Sequence, residues 1–246
     1  MHNKLVTAHD STSVTSELFK TLRTNIEFGT SETQNVIMIT SSEPGDGKSF
    51  VSSNLSVSFA QMGKKVLLID LDLRKGQQHK IFGIKNIKGM ANLLNLRIDD
   101  EEILIEKLVK TIQTTKVPGL SIITSGAILH NPSELLMNGR LAIFLEYFRD
   151  KYDYIFVDVP PLNIVTDPAI IARYVDSTVL VVSVDKTHSK ALKESVQILE
   201  KANIDIIGVV ANNVEMNHRD YKYKKYQYSE TRKINSKNKK KLKRKK

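Results

Sequence analysis

The chain has 246 residues and a formal net charge of +10, and it is long enough for one large α/β domain. It contains no cysteine, which excludes a disulfide-stabilised scaffold. Its longest apolar runs, of about five residues, are far shorter than the ~20 that a membrane-spanning helix needs, and the N-terminus lacks the apolar core of a signal peptide, so we expect a cytoplasmic protein. Residues 217–246 hold 14 Lys and Arg against 2 Asp and Glu, whereas residues 1–216 are nearly neutral. We therefore expect a disordered basic tail over residues 217–246.

The first predicted element is an amphipathic helix over residues 13–28, within an N-terminal helical segment that we expect to occupy residues 1–30. Its apolar stripe repeats every four residues and consists of Val14, Leu18, Leu22 and Ile26. A neighbouring face carries three charges spaced three apart, Glu17, Lys20 and Arg23. These charges either form a solvated face or meet a neighbouring subunit.

A strand, a glycine-containing turn and a helix come next, at residues 36–39, 41–49 and 50–62. In the turn, SSEPGDGKS, Ser42 is followed after four residues by Gly47, Lys48 and Ser49, which is the spacing of a phosphate-binding P-loop with Ser in place of its first Gly. The main-chain N–H groups would surround the phosphates, Lys48 would reach the β and γ oxygens, and the Ser49 hydroxyl would hold Mg²⁺. The predicted nucleotide-binding residues of this loop are Ser42, Glu43, Pro44, Gly45, Asp46, Gly47, Lys48, Ser49 and Phe50.

Carboxylates follow two further buried strands. Residues 66–69 lead into Asp70 and Asp72, and residues 154–157 lead into Asp158, as in a Walker-B strand. The carboxyl ends of parallel strands are where ligands bind in open α/β sheets, so these side chains are predicted to converge. We expect Ser49, Asp72 and Asp158 to form the metal site.

The remaining pattern alternates strands with helices. Helices are predicted at 89–96, 100–111 and 187–202, a helix entry at 131–134, and strands at 120–124, 178–184 and 204–210. This alternation predicts an α/β fold, a P-loop NTPase with a mainly parallel sheet flanked by helices on both faces, over residues 31–216. Asn212 follows the last strand, where it would read an adenine edge or serve as an ordinary turn residue.

In combination, these motifs resemble the bacterial tyrosine kinases of capsular and exopolysaccharide synthesis, and in particular their stand-alone cytoplasmic Gram-positive type. The resemblance is carried by the P-loop, LLIDLDLR, VDVPP, GAILHNPSELL from Gly126 and the tyrosine-bearing C-terminus. It implies a MinD/ParA-like fold, ATP and Mg²⁺ as cofactors, and Lys48, Asp70, Asp72 and Asp158 as catalytic residues. It further implies that Asp70 lies nearest to the attacking tyrosine hydroxyl, as base or orienter.

The resemblance also implies how the protein assembles and what it modifies. The family uses an E-x-x-R-x-x-R helix in a homo-oligomeric ring, which here reads Glu17, Lys20 and Arg23; a Lys contact lacks the planar fork of Arg, which predicts a weaker ring. The implied phosphorylation sites are Tyr221, Tyr223, Tyr226 and Tyr228, modified between subunits. The implied partners are a membrane adaptor that activates the kinase and recruits it to the inner face of the cell membrane, and a cognate protein-tyrosine phosphatase; no nucleic acid is expected.

Two other functions remain open at this stage. A MinD/ParA-like positioning ATPase would use the basic tail to bind membrane or DNA, but such proteins usually carry an extra Lys early in the P-loop, where this chain has Glu43. Their function also gives no reason for a tyrosine cluster. The second possibility is a non-enzymatic scaffold that responds to ATP.

Overall fold

The computed structural model describes residues 5–31, 33–128 and 131–215, so the four predicted phosphorylation sites lie outside the described residues. The strands are β1 Val36–Ser41, β2 Val66–Asp70, β3 Gln113–Thr114, β4 Leu120–Ile123, β5 Tyr154–Asp158, β6 Ser177–Ser183 and β7 Asp205–Asn212. The helices are α1 Val6–His9, α2 Val14–Gly29, α3 Lys48–Gln61, α4 Gln78–Phe82, α5 Met90–Leu94, α6 Glu101–Val109, α7 Pro132–Leu136, α8 Arg140–Arg149, α9 Asp167–Ile171 and α10 Ser189–Lys201.

The strands form one sheet in the order β3-β4-β2-β5-β1-β6-β7. All neighbouring pairs are parallel except β3 with β4, which confirms the predicted mainly parallel sheet. Strand β1 lies between β5 and β6, so the loop that follows β1 opens near the centre of the carboxyl edge. Within the described ranges, no helix combines the length and apolar character needed to cross a bilayer.

Both faces of the sheet are covered by helices. Along β2, Leu67 and Ile69 belong to one apolar cluster with α5, α6 and α8, whereas Val66 and Leu68 belong to the other with α2 and α3. Successive side chains of a strand point to opposite faces, so a strand buried on both sides must be apolar at every position. This is why the central strands appear in the sequence as continuous apolar runs.

Helix α2 matches its predicted limits, but its predicted apolar stripe is partly wrong. Ser13 caps the helix by accepting a hydrogen bond from the Ser16 N–H, yet Leu18 is 44 % exposed and Phe19, only 6 % exposed, is buried instead. A spacing of four residues exceeds the ~3.6 residues of a helical turn, so a four-residue stripe winds around the helix and leaves the contact face. Val14 and Ile26, at its two ends, are buried as predicted.

Candidate functional site

The loop between β1 and α3 has a conformation that depends on glycine. Gly45 and Gly47 have φ angles of 91° and 97°, in the left-handed region that disfavours side chains. Between them Asp46 is buried, and its carboxylate accepts hydrogen bonds from the Glu43 N–H (2.8 Å) and the Thr187 hydroxyl (2.8 Å). The loop is therefore held from inside by Asp46 and from the β6–α10 connection by Thr187.

Asn212 fixes the same loop from the end of β7. Its side-chain Nδ2 donates to the Asp46 carbonyl (2.9 Å), and a Cβ atom added to Gly47 would lie 2.0 Å from that Nδ2. The structure thus places Asn212 against the loop main chain. Its predicted contact with an adenine edge stays a prediction.

Three of the four predicted catalytic side chains, Lys48, Asp72 and Asp158, meet below this loop. The Lys48 ammonium lies 2.8 Å from Asp72 Oδ2 and 3.7 Å from Asp158 Oδ1, and 3.4 Å from the Ser49 hydroxyl. The pairing of β2 with β5, which sets Asp70 opposite Asp158, explains why residues so far apart in the chain converge. One ammonium is therefore shared between two carboxyl groups at the carboxyl edge.

Asp70 lies deeper than Asp72. It is fully buried, and its two carboxylate oxygens accept the main-chain N–H groups of Asp72 (3.2 Å) and Gln78 (3.0 Å). Burial, together with the negative charge of Asp158, raises the pKa of Asp70 well above its ordinary value. Asp70 is a stronger proton acceptor than an exposed carboxylate, but it does not line the open cleft described below.

The charges of this cluster depend on one another. Burial raises the pKa of Asp158, although the nearby Lys48 ammonium opposes that rise. Burial by itself would lower the pKa of Lys48, but the negative charges of Asp158 and Asp72 outweigh it, so the pKa is raised and the ammonium keeps its proton. The site therefore combines a fixed positive charge with carboxylates that are costly to ionise.

The donor set fits Mg²⁺ bound together with phosphates. Asp158 Oδ1 and the Ser42 hydroxyl oxygen are buried without a hydrogen-bond partner among the described residues, so the site holds acceptor atoms that a hydrated cation would satisfy. Over the same residues, no three acidic or histidine side chains form a complete metal cage. Mg²⁺ commonly takes one or two carboxylates and completes its shell with water and phosphate oxygens.

Two open clefts border the site. One, of about 570 Å³, is lined by Lys48, Ser49 and Asp72 and by apolar residues that include Pro160 and Ile164. A second, of about 580 Å³, runs between α2 and β7 and includes Phe50 and Asn212. Phe50 lines both clefts, so a ligand with a phosphate end and a flat apolar end has space on either side of it.

Two features of the site were not predicted from the sequence. Gln78, in α4, is fully buried and donates to Asp158 Oδ2 (2.7 Å). Arg74, at the rim of the first cleft, binds the buried Asp167 through two hydrogen bonds (2.8 and 3.1 Å). The Arg in LDLR and the Asp-Pro pair in TDPA were visible signals for the second feature, whereas a Gln in a polar stretch carries no such signal.

The predicted oligomerisation residues all make contacts within the chain. Glu17 and Lys20 form an ion pair (2.6 Å), and Lys20 also donates to the Ser11 carbonyl (3.0 Å). Arg23 donates to the Ser58 carbonyl near the end of α3 (2.8 Å). Their role between subunits stays a prediction.

Known proteins are similar to this chain in both sequence and fold. A family model described as an AAA domain matches residues 34–217. The Staphylococcus aureus protein named "Putative tyrosine-protein kinase CapB" is 35 % identical over 224 residues, which cover 90 % of this chain and 94 % of that protein. Tyrosine-protein kinase etk of Escherichia coli strain K12 is 39 % identical over 199 residues, or 80 % of this chain, but the chain spans only 26 % of the length of that relative.

Among solved structures, a tyrosine kinase domain is more similar to this chain than a septum site-determining protein is. The kinase domain of the Escherichia coli tyrosine kinase ETK superposes with a TM-score of 0.80 and 36 % identity, covering 87 % of this chain and 81 % of that one. The septum site-determining protein MinD of Pyrococcus horikoshii, complexed with Mg-ADP, reaches a TM-score of 0.57 with 25 % identity, covering 76 % and 73 %. The general P-loop fold is shared by both, and the similarity to the kinase domain is the greater.

Proposed function

The chain belongs to the bacterial tyrosine-protein kinases built on an AAA domain, and from that membership we propose that it transfers the γ-phosphoryl group of ATP to tyrosine residues in a capsule or exopolysaccharide system. The observation that carries the proposal is the position of Lys48, held between Asp72 and Asp158 directly beneath a P-loop. Phosphoryl transfer depends mainly on positioning and charge stabilisation, and this cluster can supply both.

Each part of the cluster has a proposed task. The N–H groups of the loop and of the first turn of α3 bind phosphate oxygens, and Lys48 stabilises the charge that develops on the transferred group. Ser49, Asp72 and Asp158 would hold Mg²⁺, which when bound neutralises charge on the phosphates. Asp70 remains the proposed base or orienter, acting on the acceptor hydroxyl with a pKa that burial has raised.

The proposed acceptors are the tyrosines of the C-terminal segment 217–246, Tyr221, Tyr223, Tyr226 and Tyr228. Support comes from the first cleft, whose lining includes the apolar Pro160 and Ile164 together with Lys48, so that it offers contacts for an aromatic ring. Transfer between subunits would require an assembly, for which the proposed contact is the α2 face of the N-terminal segment 1–30, with Glu17, Lys20 and Arg23. The fold domain between these two segments, residues 31–216, would carry the chemistry.

The proposed context is the inner face of the cell membrane. Recruitment there would depend on a membrane adaptor of the polysaccharide co-polymerase type that also activates the kinase, and a cognate protein-tyrosine phosphatase would reverse the modification. A positioning ATPase is less well supported, since the similarity to MinD is the smaller one and Glu43 stands where such proteins usually have Lys.

Incubation of the purified protein with labelled ATP and Mg²⁺ tests the proposal. Wild type should accumulate phosphotyrosine, and replacing the four tail tyrosines with Phe should remove most of it while leaving Mg²⁺-ADP binding unchanged. The matched control is Tyr147→Phe, on the partly exposed side of α8, which should label as wild type does. Release of inorganic phosphate without phosphotyrosine would instead support the positioning ATPase, and nucleotide binding without either product would support a scaffold.

A further inference from the structure

Gln78 is buried at the centre of the acidic cluster, and its side-chain amide joins elements that are distant in the sequence. Its Nε2 donates to Asp158 Oδ2 (2.7 Å), to the Ser52 hydroxyl (2.9 Å) and, more weakly, to the Ser49 carbonyl (3.2 Å). The two serines lie in the first turns of α3, directly after the P-loop, and Asp158 ends β5. The amide therefore connects the Walker-B strand to the phosphate-binding helix.

The main chain of the same residue holds a second carboxylate. The Gln78 N–H donates to Asp70 Oδ2 (3.0 Å), so Asp70 and Asp158 are both anchored by one residue. The approach to α4 is fixed by close packing, because a Cβ atom added to Gly76 would lie 2.1 Å from the Ser125 hydroxyl and 2.8 Å from Asp70 Oδ2. The segment between β2 and α4 therefore packs closely against the Asp70 carboxylate, and this packing fixes the position of Gln78, the first residue of α4.

The hydrogen bonds of Gln78 divide the two oxygens of Asp158 between different tasks. Oδ2 accepts from Gln78, whereas Oδ1 is buried, 3.7 Å from the Lys48 ammonium, with no hydrogen-bond partner among the described residues. The Gln78 Oε1 is also buried and lacks a partner over those residues. Exchanging the amide oxygen and nitrogen would press Oε1 against a carboxylate, so electrostatics supports the observed orientation.

Two buried acceptors without a hydrogen-bond partner beside a phosphate-binding loop are unfavourable unless a donor joins them. We propose that Gln78 is a positioning residue that fixes the Asp158 carboxylate through Oδ2 and so reserves Oδ1 for Mg²⁺ or one of its waters. This rests on the proposed function, because it assumes that Asp158 serves the metal of a bound nucleotide. Gln78 itself acts through Asp158, in the way that outer-shell partners orient metal ligands.

Two variants test the proposal on Mg²⁺ binding as well as on turnover. Gln78→Met keeps the length and apolar stem but removes the amide, and Gln78→Asn keeps the amide but cannot reach Asp158; both retain the main-chain bond to Asp70. Loss of an outer-shell partner commonly lowers metal affinity or activity by about 10- to 100-fold. We expect such a loss in Mg²⁺ affinity, measured by titrating Mg²⁺ into the protein with a fluorescent ADP analogue. The kcat should fall by a similar factor, and the KM for ATP at saturating Mg²⁺ should change by less than about 2-fold.

A purely structural role would give a different result. It would weaken ADP binding in the presence of a chelator as much as with Mg²⁺, and that outcome, or wild-type Mg²⁺ affinity in both variants, overturns the proposal. Gln113→Met is the matched control, since Gln113 on β3 also donates from its amide, to the Lys85 carbonyl, far from the cluster. The Mg²⁺ titration needs no tyrosine transfer, so an absence of phosphotyrosine in wild type would refute the proposed function without deciding the role of Gln78.

Discussion

Replacing Lys48 with Met should separate the stability of the cluster from its chemistry. The ammonium lies 2.8 Å from Asp72 and 3.7 Å from Asp158, and its side chain is 11 % exposed. At an effective dielectric constant of ~20, these distances correspond to about 6 and 4 to 5 kcal/mol of gross attraction. Desolvation of the ammonium offsets several kcal/mol of this sum, and measured losses on breaking one side of a buried ion pair are about 3–5 kcal/mol. We expect a loss of that size in the free energy of unfolding at neutral pH.

The loss should shrink in acid. The pKa values of Asp70 and Asp158 are raised in the folded protein, so ionising them costs the fold stability in full above the folded pKa; that cost shrinks as the pH falls below the folded pKa and is gone below the unfolded pKa. Without the Lys48 charge, the pKa of Asp158 rises further, so the variant gains more from acidification than wild type does. The stabilisation that comes from Lys48 itself changes at the alkaline end of the pH range. Because the pKa of Lys48 is raised in the folded protein, this stabilisation is complete below the unfolded lysine pKa and is lost only as the pH rises through the folded value.

Urea unfolding at neutral and mildly acidic pH measures this difference, and a phosphotyrosine assay measures the chemistry. Autophosphorylation should fall at least about 100-fold, which corresponds to about 3 kcal/mol of transition-state stabilisation. Lys110→Met, which removes an exposed lysine paired with Glu106 on α6, should lower the free energy of unfolding far less than Lys48→Met does and should leave activity intact. A Lys48→Met protein with wild-type activity, or a stability loss that stays constant across the pH range, would refute the reasoning.

Two further substitutions, each paired with a control variant, test the P-loop and the proposed subunit contact on α2. Gly47→Ala should weaken nucleotide binding by roughly 10- to 100-fold, because a side chain at φ 97° is strained and its Cβ would collide with Asn212. Gly45→Ala is also strained but has no atom near its added Cβ, so it should lose less affinity in the same binding titration. Equal losses of affinity in the two variants would exclude the collision as the cause. Glu17→Lys should lower the oligomer mass measured by light scattering. Glu106→Lys, which reverses the same charge in another helical ion pair, should leave the mass unchanged. If both variants have the same mass as an oligomeric wild type, the face of α2 that carries Glu17 is only solvated.

The sheet and the phosphate-binding loop could be predicted from the sequence, because each depends on the residue pattern of short continuous segments. A strand that is buried on two faces must be apolar throughout, and a loop that turns through left-handed φ angles needs glycine at fixed positions such as Gly45 and Gly47. The convergence of Lys48 with Asp158 followed from the same logic, because the carboxyl ends of parallel strands share one edge.

The contacts that complete the site could not be predicted in this way. Arg74 binds Asp167, 93 positions away, and Gln78 binds Asp158, 80 positions away. Nothing in the composition around Gln78 distinguishes a buried hydrogen-bond donor from an exposed polar residue, since its burial is decided by how α4 packs on α3 and β5. The exposed Leu18 and buried Phe19 show the same limit on the surface, where neighbouring elements decide which side of an amphipathic helix is covered.

The cluster as a whole is arranged so that ligand binding and folding stability are linked. Three carboxyl groups, Asp70, Asp72 and Asp158, are buried around the Lys48 ammonium, and burial raises the pKa of two of them. A single positive charge cannot balance three ionised carboxylates, so ionising the whole set in the protein without ligand would leave excess negative charge in a region of low dielectric. A divalent cation would remove that imbalance, while the N–H groups of the loop and Lys48 favour the phosphates that accompany it. The affinity for the proposed metal-nucleotide pair would therefore arise partly from relieving a cost that the fold accepts in order to hold the proposed catalytic carboxylates out of water.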